Sequence, residues 1–169
     1  MTNDTVAKLK SLRLHGMAQT WPELMAQFRN NPVEPERLMD DLLAAEHADR
    51  TVRSITYQMR IAKFPTHRDL AGFNFDEANV DEPLVKNLHD GEFMGAAQNV
   101  VLIGGPGTGK THISTAIGVE AVQRHGKRVR FFTTVELVNT LEQEKEAGKP
   151  GQLALRLMYV DLVILDELG

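Results

Sequence analysis

The chain has 169 residues, a formal net charge of −4 and no cysteine. This length allows one domain, or one small module and part of another. The charge balance argues against a uniformly basic nucleic-acid-binding protein, and the lack of cysteine excludes disulfides, thiolate catalysis and cysteine-ligated zinc. The N-terminus has no apolar core of signal-peptide length, and no apolar run reaches the roughly 20 residues of a membrane span. We therefore expect a cytoplasmic protein that does not contact a membrane.

Residues 1–65 have the pattern of a helical N-terminal module. Apolar residues recur at helical spacing, and Pro22 predicts a break at which proline occupies the first turn of a new helix. A long helix is expected over about residues 36–63. It should end at Pro65, because the residue before a proline is driven away from helical geometry.

Residues 66–98 are predicted to form a loop-rich linker. Between residues 76 and 92, six acidic side chains accompany a single base, Lys86. Such a charge run is typical of a solvated connecting segment.

The pattern changes to α/β over residues 99–169. The continuous apolar run at 100–103 is typical of a strand buried on both faces, and a helix is expected over about 110–125. Further strands at 128–133 and 160–165 alternate with helices, which predicts a mostly parallel sheet. The fold class expected is therefore α/β: a helical module followed by an incomplete parallel sheet of three strands.

An octamer that begins at Gly104 fits the phosphate-binding pattern G-x-x-x-x-G-K-[ST] at every fixed position. Its glycines let backbone N–H groups approach phosphate closely, and the helix that follows adds a favourable dipole. Lys110 is predicted to reach the β- and γ-phosphates, and Thr111 to place its hydroxyl on Mg²⁺. His112 is predicted to pack or to start the helix, not to act in catalysis. The expected nucleotide contacts are Gly104, Gly105, Pro106, Gly107, Thr108, Gly109, Lys110 and Thr111.

Two carboxylates, Asp166 and Glu167, follow the last apolar run. Asp166 is placed to hold Mg²⁺ together with Thr111, and Glu167 to orient or deprotonate an attacking water. A phosphotransfer kinase needs no water-activating acid, so the pair favours an ATPase. We predict Thr111 and Asp166 as metal ligands and Glu167 and Lys110 as catalytic residues. The alternative is that both acids are surface residues at a strand end.

The long helix carries cations and rings on one side and apolar residues on the other. Such a surface suits contacts to DNA phosphates, with the rings available for stacking. The alternative interpretation is a solvated cationic face whose rings lie partly in the core. The candidate DNA contacts are Arg50, Arg53, Tyr57, Arg60 and Lys63.

Several blocks resemble the IstB-type helper ATPases of bacterial insertion sequences and the related DnaC helicase loaders. Such proteins are AAA+ ATPases that assemble on DNA in an ATP-dependent way and deliver target DNA to a transposase. The resemblance covers the whole chain. The blocks that carry it are Leu14-His-Gly-Met17, Phe64-Pro65, Phe73-Asn-Phe75, Gly105-Pro-Gly-Thr-Gly-Lys-Thr-His112, Val129-Arg-Phe131, Thr133-Thr134 and Asp161-Leu-Val-Ile-Leu-Asp-Glu-Leu-Gly169.

The resemblance implies a P-loop AAA+ domain in which 104–111 is the Walker A loop, Asp166 the Walker B aspartate and Glu167 the catalytic glutamate. It implies ATP and Mg²⁺ as cofactors, and double-stranded DNA, a transposase and further copies of the chain as partners. Members of the family continue with a sensor residue, an arginine finger and a further helical region, and their fourth strand lies between the first and third. The chain is therefore expected to be truncated just after Walker B and to bind nucleotide, with hydrolysis belonging to the longer protein.

Three functions are compatible with these patterns. The first is an ATP-binding helper of insertion-sequence transposition that binds DNA and regulates or recruits a transposase. The second is a DnaC-like replicative helicase loader, and the third a non-catalytic DNA- or partner-binding fragment. The segment around Phe73 and Phe75 is where we would look for adenine contacts.

Overall fold

The computed structural model describes residues 2–31 and 34–167. These residues pack as two compact units, which divide after Thr56, inside the long helix. Within these ranges, no helix combines the length and the apolar character needed to cross a membrane. The elements are α1 (Thr2–Ser11), α2 (His15–Asn30), α3 (Pro35–Ala62), α4 (Glu82–His89), α5 (Glu92–Gly95), α6 (Lys110–Gln123), β1 (Val129–Thr133), α7 (Thr134–Glu146), α8 (Gln152–Leu157) and β2 (Leu162–Asp166).

The break between the first two helices lies at residues 12–14. Arg13 adopts a left-handed φ of 61°, and the N–H of Leu14 donates to the carbonyl of Leu9 at 2.9 Å, a common way of ending a helix. Helix α2 continues through Pro22, so the predicted break at that residue is wrong. Proline removes one backbone hydrogen bond but has a φ that a helix accepts.

A carboxylate from α3 holds the start of α2. Glu46 Oε2 accepts the backbone N–H groups of Gly16 at 2.9 Å and Met17 at 3.3 Å. The N-cap position of α2 supplies no side-chain cap of its own. The two helices approach so closely that a Cβ at Gly16 would lie 2.4 Å from the carbonyl oxygen of Ala45. This contact leaves no room for a side chain and explains why residue 16, in the block at 14–17, is a glycine.

Residues 66–98, predicted as a solvated linker, contain two helices and contribute to the core of the second unit. Asp81 caps α4 by accepting the N–H three residues later at 2.9 Å. Val85 and Phe93 are buried against two isoleucines of α6. Of the six acids, Glu82 and Glu92 lie in these short helices and Asp81 caps the first, whereas the other three lie between elements. The acid and proline that begin α4 are a recognisable start signal.

Two strands form the sheet in the described part of the chain. β1 and β2 are parallel, with Val129 opposite Leu162 and Thr133 opposite Asp166. The α/β class with a partial parallel sheet is therefore confirmed.

The predicted first strand at 100–103 is wrong as a strand. The segment does not pair with the β1–β2 ladder, and Val101 is 74% and Ile103 91% exposed. A strand requires a neighbour that pairs with its N–H and C=O groups, and the described residues place none beside this segment. A groove of about 270 Å³ lies between residues 98–102 and β2.

Helix α6 packs directly on β2. A Cβ at Gly118 would lie 2.7 Å from Ile164 Cδ1 and 2.7 Å from a ring carbon of Phe64, so glycine permits this close approach. Helix α6 begins at Lys110, as predicted, and the chain reverses at Gly126, which has a φ of 60°. The packing brings the first turn of α6 close to the end of β2.

Candidate nucleotide-binding site

The glycine-rich loop over residues 104–109 leads directly into α6. Gly107 and Gly109 have φ values of 75° and 89°, in the left-handed region that favours glycine. Gly109 is the N-cap of α6, and no side chain caps this end of the helix. The first N–H groups of α6 thus remain available to a ligand, and an anion suits them best.

The ammonium of Lys110 lies over the loop itself. Its Nζ donates to the carbonyl oxygens of Gly104 at 2.8 Å and Gly105 at 2.7 Å. Thr108 Oγ1 donates to the same Gly105 carbonyl at 2.8 Å. The loop is therefore closed around a positive charge at the position where phosphates are expected.

The two predicted metal ligands are in direct contact. Thr111 Oγ1 donates to Asp166 Oδ2 at 2.7 Å, although the residues are 55 positions apart in sequence. Thr134 Oγ1 also donates, at 3.1 Å, to the carbonyl oxygen of Asp166, which holds the end of β2. Among the described residues, no cluster of three or more His, Cys, Asp or Glu could hold a metal alone. One hydroxyl and one carboxylate do fit Mg²⁺, which keeps several waters and relies on substrate phosphates for other ligands.

Glu167 directly follows Asp166 and lies beside the same site. It has a φ of 62°, which is uncommon for a residue other than glycine. Glu167 lines the 270 Å³ groove together with Lys110 and Asp166. The two predicted catalytic residues therefore border one cavity.

A larger cavity of about 910 Å³ opens from the glycine-rich loop. Its opposite wall comes from residues 73–88, which lie in the segment predicted as a linker. Binding sites for small molecules are of this size. Of this wall, only the neighbourhood of Phe73 was predicted from the sequence; the part contributed by α4 carries no motif. The wall residues that face the loop include Phe73, Asn74, Val80, Asp81, Leu84 and Leu88.

The candidate DNA contacts divide between the two units. In the first unit, Arg50 Nε pairs with Glu46 at 2.7 Å and Arg53 with Asp49 at 2.7 Å, so acidic neighbours partly neutralise both. In the second unit, the guanidinium of Arg60 lies 5.5 Å from the centre of the Tyr57 ring.

The end of α3 carries the last of these cations. Lys63 follows the helix with a left-handed φ of 60°. No ion pair within residues 2–31 and 34–167 involves Arg60 or Lys63. Phe64 is half-buried and packs edge-on against the buried Phe131 with ring centres 6.4 Å apart, whereas Tyr57 is 52% exposed.

A glycine-rich loop that opens a buried helix beside a parallel strand ending in acids is typical of a P-loop nucleotide-binding domain. The sequence model of the family of IstB-like ATP binding proteins matches residues 7–169. The chain belongs to this family.

Several curated relatives match over nearly the whole chain. A putative ATP-binding protein of insertion sequence IS5376 from Geobacillus stearothermophilus is 30% identical over 159 residues, which cover 94% of this chain and 63% of the relative. A putative ATP-binding protein of IS21 from Pseudomonas aeruginosa is 29% identical over 162 residues, which cover 95% and 61%. A putative insertion-sequence ATP-binding protein of Mycobacterium tuberculosis is 33% identical over 161 residues, which cover 94% and 63%. The chain thus spans somewhat less than two thirds of the length of these relatives.

Proposed function

We propose that the chain binds Mg-ATP at residues 104–111 and serves as the ATP-binding helper of an insertion sequence. The hydrogen bond between Thr111 and Asp166 carries this proposal, because it brings a hydroxyl and a carboxylate together at the mouth of an uncapped helix. The names of the relatives, putative ATP-binding proteins of insertion sequences, support the same assignment.

Each residue has a separate part in the proposed site. The N–H groups of the loop and of the first turn of α6 receive the phosphates, and Lys110 exchanges its two carbonyl partners for phosphate oxygens. Thr111 and Asp166 hold Mg²⁺, which when bound neutralises charge on the phosphates. In hydrolysis, Glu167 takes the proton of a water that attacks the γ-phosphorus, the bond from that phosphorus to the bridging oxygen breaks, and ADP and phosphate leave.

Substitution of Lys110 tests the nucleotide site. In the Lys110→Ala variant we expect the affinity for a fluorescent ATP analogue with Mg²⁺ to fall at least about tenfold, because a charge-assisted contact to phosphate is lost. Lys149→Ala, which removes an exposed lysine between α7 and α8, is the matched control. Equal affinities of the wild type, Lys110→Ala and Lys149→Ala would show that the loop is not the nucleotide site.

We further propose that the protein binds double-stranded DNA and regulates or recruits a transposase through ATP-dependent assembly with further copies of itself. Arg60 and Lys63 are the strongest candidates for phosphate contacts, since Arg50 and Arg53 already have acidic partners. The other two candidate functions, a helicase loader and a non-catalytic binding module, predict different partners for the same chain.

Charge reversal tests the DNA contact. The double change Arg60→Glu and Lys63→Glu should weaken binding to DNA of any sequence and reduce the slope of log affinity against log salt by about 1 to 2. Lys145→Glu with Lys149→Glu alters net charge equally on α7 and the turn after it, and should leave the slope unchanged. Equal slopes for both double variants and the wild type would show that Arg60 and Lys63 do not contact DNA.

The partner can be identified by co-purification. The chain would be mixed, with ATP or ADP, with the transposase encoded beside it or with the replicative helicase of the same cell. ATP-dependent retention of the transposase supports the transposition role, and retention of the helicase alone supports the loader. DNA binding that ignores nucleotide, with neither partner retained, supports the non-catalytic module.

A further inference from the structure

The loop over residues 69–73 is fastened to the first turn of α6. His112 Nε2 lies 2.8 Å from the carbonyl oxygen of Asp69. Because a carbonyl oxygen only accepts, this nitrogen carries the proton and donates. The loop is closed by Asp69 itself, whose carboxylate accepts the N–H of Gly72 at 2.9 Å. His112 thus connects two segments that lie 43 residues apart in sequence.

An aromatic ring from this loop lies against the last glycine of the phosphate loop. A Cβ at Gly109 would lie 2.5 Å from Phe73 Cε2 and 3.0 Å from Cζ, so the ring covers the α-carbon of Gly109 directly. The same ring stands edge-to-face with His112, with centres 5.2 Å apart and planes at 81°. It also packs against Phe75, with centres 4.9 Å apart. Phe73 is therefore braced from two sides while it contacts the loop.

The other loop glycines have no such support among the described residues. A Cβ at Gly105 or Gly107 would meet nothing within 4 Å, and one at Gly104 would meet only Thr108 of the same loop. Gly109 is also the residue with the φ of 89° at the start of α6. The conformation at the point where the loop becomes a helix is thus fixed from outside by Phe73.

We infer that Phe73 and His112 are positioning residues of the phosphate loop, which hold Gly109 and the start of α6 in the conformation that receives phosphates. The inference rests on the proposed nucleotide site. Gly109 has no side chain through which its own conformation could be fixed, so a loosened loop must be ordered again when the ligand binds. Fixing the backbone of one residue is equivalent to about a tenfold change in affinity, which sets the expected size of the effect.

The test compares the dissociation constants of ATP and of inorganic triphosphate, without Mg²⁺, for the wild type and four variants. Phe73→Ala and His112→Leu should weaken the binding of both ligands about five- to tenfold. His112→Gln, whose amide can still donate to Asp69, should recover most of the affinity. The dissociation constants of Phe73→Leu, which keeps apolar bulk, should lie between those of the wild type and Phe73→Ala. If Phe73→Ala does not fold, Phe73→Leu provides the test of the role of Phe73. Phe132→Leu on β1 is the control for loss of an aromatic ring elsewhere in the same unit.

The outcomes separate the possible roles. A residue that only stabilises the fold would lower the melting temperature while leaving both dissociation constants unchanged, and this result would overturn the inference. Weaker binding of ATP with unchanged binding of triphosphate would make Phe73 a nucleoside contact and would also overturn it. If the wild type binds no better than Lys110→Ala, the proposed nucleotide site itself fails, a result distinct from either of these.

Discussion

At the scale of single residues, the contact between Thr111 and Asp166 joins the helix after the loop to the end of β2. The hydroxyl donates to the carboxylate at 2.7 Å, and Thr134 holds the backbone of Asp166 from the other side. The pair is therefore assembled by the protein's own hydrogen bonds. Oxygens that are already held in place lose less conformational entropy when a ligand binds than oxygens that become ordered only on binding.

This arrangement predicts the metal dependence of nucleotide binding. In Thr111→Val and Asp166→Asn we expect the gain in ATP affinity on adding Mg²⁺ to fall by roughly tenfold, since each change removes or neutralises a proposed oxygen ligand. Binding without Mg²⁺ should change little. Titrations of a fluorescent ATP analogue with and without Mg²⁺ measure both quantities.

Thr140→Val is the matched control for this prediction. It removes an exposed hydroxyl of α7 that donates to the carbonyl of Glu136 at 2.7 Å, away from the site. If Thr111→Val responds to Mg²⁺ as Thr140→Val does, Thr111 is not a ligand.

At the scale of elements, the start of α2 depends on a close approach to α3. Gly16 leaves room for the backbone of Ala45, and buried Glu46 accepts the first free N–H groups of α2. A helix that begins with no cap of its own is thus completed by a neighbour.

Gly16→Ala should lower the free energy of unfolding by about 1–3 kcal/mol, because the added carbon meets backbone atoms that cannot move aside. The sign of this change distinguishes the close contact, because the same exchange inside an unobstructed helix raises the free energy of unfolding by roughly 0.5–1 kcal/mol. Gly95→Ala in α5 is the control, since a Cβ there meets nothing within 4 Å. Denaturant unfolding measures both, and a Gly16→Ala protein as stable as Gly95→Ala would contradict the close contact.

The sequence predicted those elements whose signals are local. The glycine-rich loop, the start of α6 at Lys110 and the apolar run that became β2 carry their own patterns, so the structure differs from the prediction by only a few residues. The segment at 100–103 has an equally clear strand pattern but forms no strand, because pairing depends on a neighbour that local sequence cannot report. The contacts of Glu46 with Gly16, and of Phe73 with Gly109, join residues about 30 or more positions apart and have no local signal at all.

At the scale of the whole molecule, each unit contains a carboxylate whose charged form is stabilised. In the first unit, the hydrogen bond from Arg50 outweighs the opposite effect of burial, and with the N–H groups of Met17 and Gly16 it holds the pKa of Glu46 below its ordinary value of 4.5. In the second unit, hydrogen bonds from the side chain and backbone of Arg128 hold the pKa of Asp161 below its ordinary value of 3.8. Both groups favour the folded state when they are ionised.

The chain should therefore lose stability in acid. A carboxylate with a lowered pKa in the folded state contributes its full stabilisation above its unfolded pKa and loses it as the pH falls through the folded value. Glu46→Gln should reduce stability at neutral pH and flatten the decline of stability that begins as the pH falls below 4.5. Melting temperatures between neutral pH and about pH 3 measure this dependence, because carboxyl groups titrate within that range.

Glu36→Gln is the control for this pH dependence, because that acid is exposed in the first turn of the same helix. In the second unit, Asp161→Asn should likewise remove the stabilisation that the ionised carboxylate of Asp161 contributes above its pKa. If Glu46→Gln and Glu36→Gln have the same pH profile, the Glu46 carboxylate does not control the acid response of its unit.

The bonds that Lys110 makes to the carbonyls of Gly104 and Gly105 set a threshold for ligands. An incoming anion must displace two neutral acceptors that already hydrogen-bond to the ammonium. Its net gain is therefore the difference between the attraction of the ammonium to the anion and its attraction to the two carbonyl dipoles. A di- or triphosphate can replace both carbonyls and still reach the free N–H groups of α6. We therefore expect a ligand that contacts both the lysine and these N–H groups to be favoured over one that contacts the lysine alone.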